Sequence, residues 1–293
     1  MPVLVKYSQK ELRGDKLELV RQCIGVLQAY EQQGLVLTLR GLYYQLVGKN
    51  VIPNKPEWYG RLGDAVADGR MAGLIGWDQI TDRTRGLVGS RHYSHPKEAF
   101  KAARDGYRVD MWANQEWRPE VWPEKQAMEP VIEGICDEYR VDFFSCRGYA
   151  SMSSLYEAGR RMAGYYARGQ RPIVFHLGDH DPSGIDMTRD NQERLSIFAG
   201  VQVQVVRLAL NMNQVEHHRL PPNPAKMSDS RAEAYVAEHG SSSWELDALP
   251  AAAIRDLIGS TLYKLRDEVR WDEMLAQEVA DKESMDLAME GMV

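Results

Sequence analysis

The chain is poor in cysteine and has no long apolar run. Cys23, Cys136 and Cys146 are the only three cysteines in 293 residues. They are too few and too scattered for a disulfide framework, and with no CxxC pair they give no support for a zinc site. Nothing approaches the roughly 20 consecutive apolar residues that a membrane-spanning helix needs. The opening Met1-Pro2-Val3-Leu4-Val5-Lys6 lacks the apolar core of a secretory signal. There is no internal repeat and no low-complexity tract. These absences lead us to expect a globular protein of the reducing cytoplasm, without a membrane. A hydrophobic content of 44% and a charged content of 27% suit one with a large core and two domains.

An excess of positive charge is also missing, since the net charge is -6. Its distribution is uneven: residues 1–105 carry 16 Lys+Arg against 11 Asp+Glu, and the remainder 20 against 31. A basic front and an acidic back fit a polyanion-binding module joined to a metal-binding one.

The hydropathy pattern divides the same way. Leu19, Cys23, Val26 and Tyr30 recur at helical spacing over 15–31. Thr38 offers an N-cap for a second helix to about Val47, and Glu57 to Met71 reads as a third, with Arg61 and Arg70 on its polar side. Residues 74–80 and 86–88 read as short strands. Helices followed by a small β-wing on a basic segment suggest a winged helix-turn-helix over residues 1–110, although such helix packing occurs in many unrelated proteins. From about Pro119 strand and helix alternate, which predicts an α/β domain over 111–293. Its parallel sheet is covered by helices and followed by a helical C-terminal extension.

The richest segment is Ile173-Val174-Phe175-His176-Leu177-Gly178-Asp179-His180-Asp181-Pro182-Ser183-Gly184. A short apolar run bounded by turn residues reads as a buried strand of a parallel sheet, and ligand sites lie beyond the carboxyl ends of such strands. Asp179 and Asp181 stand there with no basic residue between them. Clustered carboxylates repel unless a cation sits among them, and the natural resident is a hard ion such as Mg²⁺, with Mn²⁺ able to substitute. Glu124, after the strand containing Val121 and Trp122, reaches the same sheet edge, so Glu124, Asp179 and Asp181 are the candidate metal ligands. Lys125 and Arg147 end on that edge too and are candidates, with Arg61 and Arg70, for phosphate contact. The plain alternatives are a helix N-cap for Asp181, a solvated loop acid for Glu124 and a surface salt bridge for Arg147.

On the second helix Leu39, Tyr43, Leu46 and Val47 share an apolar face, while Arg40 and Tyr44 lie one turn apart on another. Tyr43 is expected in the core. An arginine beside Tyr44 favours the phenolate and can hold a phosphate that the oxygen attacks, with Gly41 leaving room for a bulky ligand. A surface Arg/Tyr contact is the plain alternative.

Together these residues resemble the family that holds the A-type subunit of topoisomerase VI and the meiotic double-strand-break transesterases. Its Toprim signature, a Glu after the first strand and Asp-x-Asp after a later one, is matched by Glu124 and Asp179-His180-Asp181. The continuation Asp-Pro-x-Gly is matched by Asp181-Pro182-Ser183-Gly184. Arg40-Gly41-Leu42-Tyr43-Tyr44 is similar to the family's Arg-Asp-Ile-aromatic-Tyr, with Gly41 in place of Asp, and this puts the nucleophile on Tyr44. Arg85-Gly86-Leu87-Val88-Gly89 resembles a Lys-Gly-Leu-Val segment, and Trp244-Glu245-Leu246-Asp247-Ala248-Leu249 a Glu-rich element near the family's C-terminal end. The resemblance spans about residues 35–250.

It implies a winged-helix plus Toprim protein that cleaves DNA by tyrosine transesterification, leaving a phosphotyrosyl link and a free 3′-hydroxyl. Tyr44, Arg40 and Glu124 would be catalytic. The partners it implies are DNA and a second copy of the chain, each tyrosine completing the other's metal site. No ATP-binding element is recognisable, so the chain looks like a stand-alone A-type subunit, with any ATPase on a separate chain. A cytoplasmic, nucleoid-associated location follows. The nearest rival is a Toprim hydrolase in which water attacks and Tyr44 is structural. Remoter ones are a DxD phosphatase of small phosphate esters and a DNA-binding protein that does not cut.

Overall fold

The computed structural model describes residues 4–8, 11–80, 91–225, 229 and 231–290. Helices α1 (Gly14–Glu31), α2 (Leu39–Gly48) and α3 (Pro56–Met71) pack on one another. The Thr38 hydroxyl accepts from Gly41 N at 3.0 Å, capping α2. Pro56 sits at the start of α3, where its missing N–H costs no hydrogen bond. Residues 74–80 form turns rather than the expected strand. Only Ile80 bridges, in parallel, to Leu37. Gly76 and the Arg70 side chain explain this, because both tie the segment into a turn through Gln79 and the Trp77 and Ile80 carbonyls. The expected strand at 86–88 and the Arg85-Gly86-Leu87-Val88-Gly89 segment lie outside the described residues.

After α4 (Pro96–Gly106) comes an α/β unit with a four-stranded, wholly parallel sheet. Its strands are β1 (Trp117–Pro123), β2 (Asp142–Phe143), β3 (Arg171–Leu177) and β4 (Gln204–Ala209), in the order β2-β1-β3-β4. The connecting helices are α5 (Glu129–Glu138), α6 (Met152–Ala167) and α7 (Pro182–Ala199). Strand alternation sorts the core into two layers. Val121 and Phe175 join the cluster that includes Ile132 and Ile258, whereas Trp122 and Val174 face Leu155, Met162 and Leu195. The sheet is therefore covered on both sides, as a parallel sheet requires. Helices α8 (Met212–His218) and α9 (Ala232–His239), a small ladder of β5 (Asn223–Pro224) with β6 (Ser242–Ser243), and helices α10 (Ala251–Leu265) and α11 (Glu268–Glu290) complete the chain.

One apolar cluster runs without a break from Leu42 and Leu46 of α2 to Val121 and Phe175 of the sheet. Helix α4, on the N-terminal side of the expected boundary at 110/111, packs on α11. Among the described residues no helix is long and apolar enough to cross a membrane.

Candidate functional site

The carboxyl ends of β1 and β3 are neighbours, with Pro123 in register with Leu177. The residues that follow, Glu124 and Asp179, are both buried. Asp179 N donates to Glu124 Oε2 at 3.0 Å. A Cβ on Gly178 would stand 2.9 Å from that same oxygen, and one on Gly184 would meet the Asp179 carbonyl oxygen at 2.2 Å. These two glycines let the β3–α7 turn close around the acids.

Asp181 caps α7. Its Oδ1 accepts from Gly184 N (2.6 Å) and from the Ser183 hydroxyl (2.9 Å). The capping alternative is thus realised at Asp181, while Glu124 and Asp179 are drawn together beneath it.

Two partly buried cations hold this cluster. Lys125 Nζ lies 2.6 Å from Asp179 Oδ2 and 3.9 Å from Asp247 Oδ2, and also pairs with Glu245. The expectation of Lys125 as a DNA contact is therefore corrected, because the acids turn its ammonium inward. Arg207, on β4, donates to the carbonyls of Gly178 (3.0 Å), Asp179 (2.5 Å), Gly184 (2.8 Å) and Leu210 (3.1 Å). Burial lowers its pKa to about 10, against the pull of Glu124, Asp179 and Asp181. A lone Arg within the apolar run of β4 was the one signal for it, since a buried guanidinium needs acceptors.

The segment 242–249 returns across the strand ends. Here His180 and Trp244 exchange backbone hydrogen bonds (2.8 and 2.9 Å), and Leu246 N donates to Asp179 Oδ1 at 2.8 Å. His180 itself is buried, paired with the Tyr235 hydroxyl at 2.8 Å, and burial lowers its pKa to about 4. This return carries Glu245 and Asp247 to α2. Arg40 lies 3.2 Å from Glu245 and, through Nε, 2.9 Å from Asp247 Oδ2, with its guanidinium 5.7 Å from the Tyr44 ring centroid. Neither Asp247 oxygen has an aligned hydrogen-bond partner, although the carboxylate is buried. Asp247, Thr38 and Gln45 line a cavity of about 20 Å³, room for one water.

The electrostatics follow from this crowding. Burial, reinforced by Glu124 and Glu245 and opposed by Lys125, pushes Asp179 up to about 8. Burial also raises Glu124, with Asp181 adding to it and the Asp179 N–H, Lys125 and Arg207 opposing. Glu245 is half-buried, which would raise it, but Lys125 and Arg40 outweigh that and hold it below the ordinary range. Burial and Glu245 raise the Tyr44 phenol, overriding Arg40 and Lys125. Arg40 favours the phenolate as expected, but burial and Glu245 outweigh it, and in the resting protein Tyr44 keeps its proton.

Tyr43 is buried as expected, but its hydroxyl also donates to Asn54 Oδ1 and the Lys55 carbonyl oxygen, both at 3.1 Å. Tyr44 is buried as well, so the two rings share an interior and differ in what surrounds their hydroxyls. The space expected beside Gly41 is small: Gly41 lines the same cavity of about 20 Å³, and Leu37 Cδ2 and Thr38 Oγ1 stand 3.4 and 3.5 Å from a built Cβ. Arg70 does not stand on the polar side of α3. It binds the carbonyls of Trp77 (2.9 Å) and Ile80 (2.6 Å), and burial lowers its pKa. Arg61 is exposed, its guanidinium 5.1 Å from the Trp58 ring centroid. Arg147 is exposed in a left-handed turn (φ 57°) whose Gly148 N donates to the Glu124 carbonyl oxygen at 3.2 Å.

Among the described residues no three His, Cys, Asp or Glu side chains converge as a ready metal cage. The donor chemistry nevertheless fits a hard cation. Glu124 and Asp179 are oxygen donors held together against their repulsion, and the Asp247 carboxylate, paired with Arg40, lies close by. Such an ion would compete with Lys125 for Asp179. No protein-family model, curated protein or solved structure matches the chain.

Proposed function

We propose that the chain is a DNA-cleaving transesterase with Tyr44 as nucleophile, built as a winged-helix and Toprim protein. The observation that most supports this is the convergence of Tyr44 and Arg40 with Glu245, Lys125 and Asp179, from four distant segments, in one partly buried charged cluster. Packing alone does not call for so many ionisable groups at a strand end.

The Tyr44 Oη attacks the backbone phosphorus, the P–O3′ bond breaks, and a 5′-phosphotyrosyl link and a free 3′-hydroxyl result. Tyr44 holds its proton at rest, so attack needs an acceptor. Glu245, kept ionised by Lys125 and Arg40, is the carboxylate that bears most strongly on the phenol. Glu124, whose pKa burial raises, serves the departing 3′-oxygen as a proton carrier. Arg40, aligned by Glu245 and Asp247, meets the charge that grows on the phosphate. Mg²⁺, or Mn²⁺ in its place, would be held by Glu124, Asp179 and Asp181 and would neutralise phosphate and leaving-oxygen charge. Arg61 and Arg147, the exposed members of the expected set, serve as phosphate contacts on DNA. Cutting both strands needs two sites and hence a homodimer. A separate ATPase chain is a further partner this reading allows.

The hydrolytic reading draws on the burial that keeps Tyr44 protonated: water would attack and Tyr44 would only pack. Labelled duplex incubated with the protein and Mg²⁺ or Mn²⁺, then run on a denaturing gel, separates the two. Transesterification predicts a retarded protein–DNA band, whereas cut DNA without that band supports hydrolysis.

A further inference from the structure

Helix α11 has sides with different fates. One side is inside: Trp271 packs edge-on to Trp112, with ring centroids 5.7 Å apart, and Glu278 accepts from Val109 N at 3.1 Å. A second is covered by α4, a helix rich in Lys97, Lys101 and Arg104. That contact is made by opposite charges and polar groups, with Arg104 Nη2 2.7 Å from Asp286 and the Tyr107 hydroxyl 2.6 Å from Asp281.

Among the described residues the remaining side is left uncovered, except near its C-terminal end, where Asp286 pairs with Arg104 of α4. Val269 (70% exposed), Leu275 (44%), Val279 (57%) and Leu287 (70%) all project there. At about 100° per residue they fall with Ala276 and Ala280 within roughly 140° of arc, one continuous stripe. Asp272, Glu283 and Glu290 stand exposed along it. The two cations of α11 are engaged elsewhere: Lys282 binds Glu278 at 2.6 Å, and Arg270 donates to the Asn114 carbonyl oxygen at 2.9 Å. The stripe is therefore apolar and acidic, with no base of its own.

We propose that this stripe of α11 docks a basic amphipathic helix from a protein partner. The partner's apolar side would cover Val269, Leu275, Val279 and Leu287, and its Lys or Arg residues would pair with Asp272, Glu283 and Glu290. The chain already shows the charge logic once, in the way α4 lies on the neighbouring side. Nucleic acid and anionic lipid are repelled by these acids, and a second copy of α11 would set acid against acid.

The probe is a fluorescein-labelled synthetic helix of leucine and lysine at helical spacing, with a twin carrying Glu for every Lys. Fluorescence anisotropy against the full chain should show the lysine peptide bound, more weakly as salt rises, and the glutamate twin unbound. Val279→Lys with Leu287→Lys should weaken binding at least tenfold. Should that pair disturb the thermal melt, Asp272→Asn with Glu283→Gln, which changes charge alone, carries the test by weakening binding and lowering its salt dependence. Equal binding of both peptides, or lysine-peptide affinity unchanged by the variants, would overturn the proposal, since attraction to the net negative surface would then suffice. A dimer in sedimentation that Val279→Lys with Leu287→Lys dissociates would give the face to a second copy and overturn it too.

Discussion

Two buried acids on β1 and at its end, Glu120 and Glu124, live in opposite circumstances. Glu120, 2% exposed, takes both Arg161 nitrogens (2.8 and 2.9 Å) and the Trp122 indole N–H (2.9 Å). It is a closed pair, one carboxylate saturated by a fork of donors. Glu124 receives one backbone N–H and sits against Asp179, with Asp181, Glu245 and Asp247 in the same neighbourhood and Lys125 and Arg207 as counter-charges. The contrast separates an acid that serves the fold from acids held in tension at a strand end. Burial alone does not mark a site. Burial with unmatched charge does.

The largest effect that would sharpen this contrast is on the closed pair. Arg161→Met leaves Glu120 buried with the Trp122 indole as its remaining donor. It should lower stability by about 2–4 kcal/mol, below the usual loss on breaking a buried pair because Arg161 is partly exposed. Denaturant unfolding measures it, and a loss under about 0.5 kcal/mol would put Glu120 in the same class as Glu124.

The crowded group should respond through pH instead. An unfolded Asp releases its proton at about pH 4, whereas folded Asp179 keeps it to about 8. The native state therefore binds more protons across that window. Asp179's part of the stability falls as pH rises from about 4 to about 8, by at most about 1.4 kcal/mol per pH unit, and levels off above. Asp179→Asn, melted in EDTA, should show a flatter profile over that range. Parallel profiles for wild type and variant would mean that Lys125 fully neutralises Asp179 and that no tension is stored there.

The smallest effect on the fold belongs to Arg147. Exposed and in a turn, Arg147→Ala should change stability by no more than about 0.5 kcal/mol. It should nevertheless weaken binding to many duplex sequences alike and lower the salt slope by about 1. An unchanged slope would remove Arg147 from the DNA surface.

Much of this was legible in the sequence because it is local. The helix at α2 follows from Thr38 and the apolar spacing after it. The end of β3 follows from an apolar run stopped by Asp179, Asp181, Pro182 and Gly184, and Glu124 from its place after Val121 and Trp122. What escaped is set by partners far along the chain. Lys125 read as a free cation because Glu245, 120 residues away, supplies its counter-charge. Arg70 read as a surface residue because its carbonyl acceptors lie in a turn that patterning took for a strand. Glu245 and Asp247 were visible as an acidic element, but helical or strand periodicity does not place a short return segment across a sheet edge. Tyr43 and Tyr44 were told apart by helical phase, and the structure keeps a distinction, though in their hydroxyl surroundings rather than in depth.

That distinction carries the central claim, and a pair of single-atom deletions tests it most directly. Labelled duplex, divalent ion and a denaturing gel are used with Tyr44→Phe and Tyr43→Phe in parallel. Tyr44→Phe should abolish the covalent adduct while duplex binding stays near wild type. Tyr43→Phe should keep the adduct and lose about 0.5–1.5 kcal/mol of stability with its hydrogen bonds to Asn54 and Lys55. Wild-type cleavage by Tyr44→Phe, or loss of the adduct in Tyr43→Phe alone, would contradict the account.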